Sequence, residues 1–156
     1  KTNAVRLLQQ SGISCREMFY EFDPDDLNGN HAAHAIGKPA EEVFKTLVAR
    51  GERTGINVFC IPVCFELNLK KAAKAAGDKN MEMVAVKDLL NLTGYIRGGC
   101  SPIGMKKKFP TYFHISARDH ESITVSAGCK GIQLLVKVED LLRFTAAQTA
   151  EFCLSE

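Results

Sequence analysis

A mixed α/β domain, a β-sheet with helices packed on it, is the fold class this sequence predicts. Three observations carry that expectation. Stretches with the two-residue alternation of strands are interleaved with stretches of helical periodicity along the whole chain. No internal repeat and no low-complexity linker interrupts them. The 156 residues amount to about one domain, enough to bury roughly 68–70% of the unfolded chain's surface, and 46% hydrophobic against 24% charged residues is a globular composition. One domain spanning residues 1–156 is expected.

The elements follow in order. Thr2 or Asn3 caps a short helix whose Ala4, Leu7 and Leu8 form the apolar face, and Gly12 suits the position just past its end. Residues 13–20 read as a strand, residues 23–26 and 28–30 as a loop, and residues 31–36 as a helix stopped by Gly37. Pro39 can open a further helical turn. The next segment fits two patterns: Ala40, Val43, Phe44, Leu47 and Val48 make a helical stripe, while Val43, Lys45, Leu47 and Ala49 share one face of a strand. On the helix Lys45 points to water; on the strand it is partly desolvated. Residues 57–63 form a β-type run, and residues 68–76 a basic amphipathic helix with Leu69, Ala72, Ala73 and Ala76 inward and Gly77 at its end. A strand at 81–84 and a helix at 86–92 lead through Thr93 and Gly94 to a glycine-rich loop at 98–104. Strands at 111–116, 123–126 and 132–137, a turn at 128–131 and a helix at 139–144 complete the chain.

Composition and motifs exclude several function classes. The longest apolar run, Val58 to Phe65, is broken by Pro62 and falls far short of the ~20 residues of a membrane-spanning helix. No signal-peptide core follows Lys1, so a cytoplasmic protein with no membrane partner is expected. A net charge of +2 is too small to mark a nucleic-acid binder by itself, so local clusters must carry that case. Lys70, Lys71, Lys74, Lys79 and Lys87 form one cluster and Lys106, Lys107 and Lys108 another. Each fits either a solvated face or a phosphate-binding strip. Cys15, Cys60, Cys64, Cys100, Cys129 and Cys153 are scattered without a CxxC, so reduced thiols and no metal site are expected. His31 and His34 share a helix face but lack an intervening Glu, and GxSxG and HExxH are both absent.

The loop Gly98-Gly99-Cys100-Ser101-Pro102-Ile103-Gly104 is the most informative local feature, because glycines leave backbone N–H groups accessible to a ligand. It is not a Walker loop: Met105 stands where the lysine must be, and Pro102 removes a donor. An amide-lined pocket and a simple bend between strands both remain open.

The sequence resembles the YbaK/EbsC family of aminoacyl-tRNA deacylases, relatives of ProX and of the editing insertion of bacterial prolyl-tRNA synthetases. The resemblance runs nearly end to end. It is carried by residues 1–4 with Leu7 and Leu8, Tyr20, Asp23-Pro24, residues 43–48 and residues 69–74. It continues through Lys79, Glu82-Met83, residues 93–95, Gly98-Gly99, Ser101-Pro102, Gly104, Lys106-Lys107, Ser126 and Gly128.

The resemblance implies a barrel-like mixed sheet flanked by helices, with Phe44-Lys45-Thr46 on a strand. It implies hydrolysis of the ester of mischarged tRNA in trans, Cys-tRNA(Pro) foremost. In that chemistry the substrate's own thiol attacks its ester carbonyl, so no enzyme nucleophile and no cofactor are needed. It places Lys45, Gly98, Gly99 and Ser101 at the catalytic site. Tyr20, Asn28, Gly29, Thr46, Cys100, Ser126 and Gly128 fall in the substrate pocket, and Lys70, Lys71, Lys74, Lys106, Lys107 and Lys108 on the tRNA. Aminoacyl-tRNA is the implied partner, with prolyl-tRNA synthetase as a second. The chain departs from YbaK-like patterns at Asn28, which replaces an aromatic residue, and at Cys100, Ala127 and Cys129-Lys130. Those departures bear on which amino acid is cleaved. An editing enzyme for Ala-tRNA(Pro) or another small residue, and a non-catalytic RNA-binding or regulatory module, are the competing readings.

Overall fold

The Thr2 side chain accepts a hydrogen bond from Val5 N–H (3.3 Å) and so starts helix α1, Asn3–Gln10, while Gly12 takes a positive φ of 74° beyond its end. In this computed structural model residues 1–23, 25 and 29–153 are described. Strand β1 (Cys15–Phe19) is followed by helix α2 (Gly29–Ile36), which Gly37 ends at φ +71°, and a 3-10 turn over Ala40–Glu42 starts behind Pro39. The two-pattern segment is a strand: β2 (Phe44–Gly51) pairs antiparallel with β3 (Gly55–Pro62) in an eight-pair ladder. Helix α3 (Leu69–Ala76) is capped by Asn68, whose Oδ1 accepts from Lys71 N–H (3.1 Å), and closed by Gly77. Asn68 N–H is tied to Phe152 C=O (2.8 Å) at the sheet margin. Ala72 and Ala73 therefore turn inward, whereas Leu69, expected inside, stays on the rim with 37% of its surface exposed. Next come β4 (Met81–Met83), α4 (Val86–Thr93), β5 (Thr111–His114), β6 (Ser122–Ser126), β7 (Ile132–Lys137), α5 (Val138–Thr145) and β8 (Gln148–Ala150).

Two elements differ from the sequence expectation. The strand expected to reach residue 116 ends at His114, whose ring accepts from Ser116 N–H (3.3 Å) and caps a 3-10 turn over Ile115–Asp119. Strand β8 was not expected; only three residues long, it pairs parallel with β5.

The strands form two sheets rather than a closed barrel. One has the order β1-β7-β6, all antiparallel. The other runs β4-β2-β3-β5-β8 and is mixed, with β3–β5 and β5–β8 parallel. Phe44, Val58, Cys60 and Phe113 from the larger sheet share a core with Ile123, Val125, Leu134 and Val136 from the smaller one, and with α1 and α5. On the other side of the larger sheet Phe59, Ile61 and Phe152 pack with Ala72 and Ala73 of α3. Each fully buried Phe contributes about 1.5–3 kcal/mol. Strand alternation therefore leaves Lys45 and Leu47, and Thr124, Ser126 and Gln133, on the faces turned away from the shared core.

Asp78 fixes the β2–β3 hairpin against the α3–β4 turn. Its carboxylate accepts from Thr54 Oγ1 (2.7 Å), Thr54 N–H, Arg53 N–H and Lys79 N–H, which hold it far below the usual carboxylate range. A Cβ at Gly51 would lie 2.0 Å from Asp78 Oδ2, so this approach needs glycine. No helix among the described residues is long and apolar enough to cross a membrane.

Candidate active site

The seam between the two sheets opens into a pocket of about 620 Å³, within the range of small-molecule sites. Strand β2 forms its spine. Val63 N–H donates to Val43 C=O and Val84 N–H to Val48 C=O. In an antiparallel ladder this alternation sends the main-chain groups of odd-numbered β2 residues to β3 and those of even-numbered ones to the opposite edge. Strand β4 covers that edge only at Ala49–Gly51, and Val43 makes a single bridge to Thr124. Thr46 N–H and C=O thus open onto the pocket.

Lys45 reaches the pocket from this strand and is half-buried. Burial lowers its affinity for a proton below the ordinary lysine range; the Glu66 carboxylate opposes the shift, with Cys153 and Cys64 adding in the same sense. No carboxylate among the described residues comes within 4.0 Å of its Nζ. The ion pair that would have made Lys45 purely structural is not formed there. A desolvated ammonium with room in front of it is an electrostatic contact waiting for a ligand oxygen.

The other expected site residues divide into wall and support. Tyr20, Thr46, Gly98, Cys100 and Ser126 line the pocket with Lys45. Gly99, Ser101 and Gly128 stand behind it. Ser101 is fully buried, and its Oγ accepts from Ile103 N–H (3.2 Å), so it shapes the loop instead of facing the cavity. A Cβ on Gly99 would lie 3.1 Å from Cys129 Cα, and one on Gly128 (φ +101°) 2.7 Å from Tyr95 Cε1. Tyr95, whose hydroxyl donates to Ile103 C=O and is pushed up to about 12 by burial, thereby locks the glycine loop to the β6–β7 turn. Asn28 lies outside the described residues; Gly29 is the first residue of α2, and its neighbours Asn30, His31 and Ala32 line the pocket.

Of the expected tRNA lysines, Lys70, Lys74, Lys106, Lys107 and Lys108 are exposed. Lys71 is instead engaged within the chain, donating to Cys153 C=O (3.3 Å) and lying 3.9 Å from Glu151.

Sequence reasoning missed Glu66, Arg97, Lys130 and Gln133, which also line the pocket. Arg97 adjoins the glycine loop and Lys130 lies in the β6–β7 turn, so their place could have been read from those neighbours. Nothing marked Gln133. Among the described residues the lining thus carries three Lys or Arg side chains against one carboxylate, a field suited to an anionic ligand.

The thiol of Cys100 is pushed up to about 12 by burial and is protonated at neutral pH. His114 is enclosed by Ser116 Oγ (2.8 Å) and Glu151 Oε2 (3.0 Å) away from the pocket lining. No group of three or more His, Cys, Asp or Glu gathers to hold a metal among the described residues. What this arrangement can do chemically is hold and polarise: a lysine, an open strand edge and a glycine loop converge on one cavity.

Comparison with known proteins supplies the context. Residues 30–144 match the family model of the aminoacyl-tRNA editing domain. The chain is 46% identical over its full length, and over 95% of the relative, to EbsC of Enterococcus faecalis, to which Cys-tRNA(Pro)/Cys-tRNA(Cys) deacylase activity is ascribed. It is 29% identical over 69% of its length to proline–tRNA ligase of Shouchella clausii, a match spanning 19% of that enzyme. A crystal structure described as a trans-editing enzyme for prolyl tRNA synthetase superposes with a TM-score of 0.81 at 22% identity, covering 99% of both chains.

Proposed function

Because the chain belongs to the aminoacyl-tRNA editing domain family, we propose that it is a trans-acting deacylase that cleaves the ester of mischarged tRNA, with Cys-tRNA(Pro) as its leading substrate. The observation that carries this reading is Lys45: a half-buried ammonium with no carboxylate within 4.0 Å among the described residues, on an open strand edge in a pocket of about 620 Å³. The 3′-terminal aminoacyl-adenosine enters this pocket. Lys45 contacts the acceptor end at the ester or the ribose, and the Thr46 main chain and the glycine loop fix its orientation.

The lining offers no activated serine or histidine dyad among the described residues, which agrees with chemistry borne by the substrate. The cysteinyl thiol attacks its own ester carbonyl, the new S–C bond forms as the C–O bond breaks, and the thiol proton ends on the released ribose hydroxyl. Water then opens the thiolactone to free cysteine. Holding the reacting atoms in a near-attack geometry is the main catalytic device. The exposed lysines Lys70, Lys74, Lys106, Lys107 and Lys108 contact backbone phosphates, which position the tRNA without reading its sequence. Prolyl-tRNA synthetase is the natural partner for handing over such a tRNA in the cytoplasm.

The test is a deacylation panel of tRNA(Pro) charged with Cys, Ala, Ser or Pro. Cleavage of the Cys ester, with the Ser ester cleaved poorly because a hydroxyl is a weaker nucleophile near neutral pH, is the expected result. Rapid cleavage of the Ala ester would refute substrate-assisted cyclisation and assign alanine editing. Cleavage of none would refute the enzyme and leave an RNA-binding module.

A further inference from the structure

We infer that Gln133 reads the substrate: its carboxamide accepts a hydrogen bond from the α-amino group of the bound aminoacyl ester, an inference that rests on the deacylase reading above. Gln133 lies on β7 directly across from Ser126, on the face turned away from the shared core, and both residues are 8% exposed and line the pocket. Its Oε1 is enclosed and has no hydrogen-bond partner among the described residues. A buried acceptor left unmet costs about 1–3 kcal/mol, so its place in a well-packed sheet asks for a donor from elsewhere.

The neighbours do not supply one. The Ser126 hydroxyl, which accepts from Gly128 N–H (3.1 Å), and the Thr124 hydroxyl on the same face each keep a proton to donate, yet neither makes a hydrogen bond to Gln133 Oε1; across the other ladder the partner is Met18, whose thioether is no donor. Cys100, a thiol of the same lining, is only a weak donor. The missing donor therefore arrives with the ligand. A turn about the terminal Cγ–Cδ bond, a soft torsion, exchanges Oε1 and Nε2 and so presents the oxygen to the cavity.

The identity of that donor follows from how the substrate must enter. The body of a tRNA cannot pass into a cavity of about 620 Å³, so the aminoacyl end leads and reaches the enclosed wall where Gln133 sits. Ribose hydroxyls and the base stay behind the aminoacyl group, and Glu66, an exposed acceptor of the lining, is available to them. The cysteinyl moiety carries two donors, its thiol and its amino group. The thiol is committed to the carbonyl, and sulfur is the weaker donor. The amino group remains, and a neutral carboxamide can serve it amid Lys45, Arg97 and Lys130, which only donate.

The experiment is a cycle of residue against ligand. Wild type and Gln133→Leu are compared on Cys-tRNA and on 3-mercaptopropionyl-tRNA, which keeps the thiol and lacks the amino group, each rate corrected for uncatalysed hydrolysis. Gln133→Leu is expected to lose about tenfold to 100-fold in kcat/KM on Cys-tRNA and nothing further on the des-amino ester, on which wild type already shows the same loss. Its melting temperature should match or exceed wild type, because an unmet polar group has been removed. Gln133→Met, similar in length, repeats the comparison should the leucine fail to pack. Equal losses on both esters, or wild-type kcat/KM on Cys-tRNA with a folded variant, would overturn the assignment while leaving the deacylase intact. Failure of wild type to cleave Cys-tRNA would overturn both.

Discussion

Gly128→Ala probes how tightly the wall behind the pocket is built. The added Cβ would lie 2.7 Å from Tyr95 Cε1 and 3.3 Å from Cζ, on a backbone held at φ +101°. The conformational part costs about 1–2 kcal/mol for any residue with a Cβ. The collision adds about 1–3 kcal/mol, because Tyr95 is tethered through its hydroxyl to Ile103 C=O and cannot swing clear. Together the variant should lose roughly 2–5 kcal/mol of unfolding free energy. Gly12→Ala is the matched control: φ is +74°, and nothing lies within 4 Å of the added Cβ, so only the conformational part applies. Urea denaturation of the two variants and wild type isolates the steric share as their difference. Removing the ring with Tyr95→Ala should make the Gly128→Ala effect less than additive. If Gly128→Ala costs no more than Gly12→Ala, Tyr95 does not clamp the glycine loop to the β6–β7 turn.

Two further outcomes follow. Neutralising Lys70, Lys74 and the triplet Lys106 to Lys108 should weaken tRNA binding and flatten its dependence on salt, read as the slope of log affinity against log salt concentration. Lys71→Ala should change that slope less, since Lys71 is engaged by Cys153 C=O and Glu151; an unchanged affinity after neutralising both clusters would assign them to a solvated surface. Burial lowers the Lys45 proton affinity and Glu66 works against it, so Glu66→Gln removes the opposing charge and should move the Lys45 titration further down. The Cε resonance of Lys45, identified by its loss in Lys45→Arg, reports this directly, and an unchanged or upward midpoint would contradict it.

Much of the fold was legible because local signals agreed with the global answer. Thr2, Asn68, Gly37 and Gly77 act as the caps and stops that their residue types announce. Residues 40–49 were ambiguous because both faces of β2 are apolar, which blurs the difference between periods of two and 3.6. Only pairing with β3 settles that segment. Three-residue β8 carries too little pattern to be seen, and the end of β5 is set by the His114 cap on Ser116. In the site, Lys45 and the glycine loop stood out as an odd charge and an odd composition. Ser101, expected at the catalytic site, and Gly128, expected in the substrate pocket, both support the wall from behind, because being in the wall or behind it depends on depth and not on spacing. Gln133 was invisible because, out of phase with Leu134 and Val136, it reads as an ordinary solvent-facing strand residue. The seam between the sheets encloses that face.

The central claim, that a partly desolvated Lys45 in the inter-sheet pocket holds the acceptor end of an aminoacyl-tRNA for cleavage, is tested most directly by one measurement: single-turnover deacylation of Cys-tRNA(Pro) by wild type and by Lys45→Ala. Wild type should cleave, and the variant at a rate at least ~10²-fold lower, the scale of losing one preorganised electrostatic contact, with an unchanged melting profile. Lys45→Arg should recover little, because a planar guanidinium does not fill the place of a compact ammonium. Deacylation by Lys45→Ala at the wild-type rate, or no cleavage by wild type at all, would contradict it.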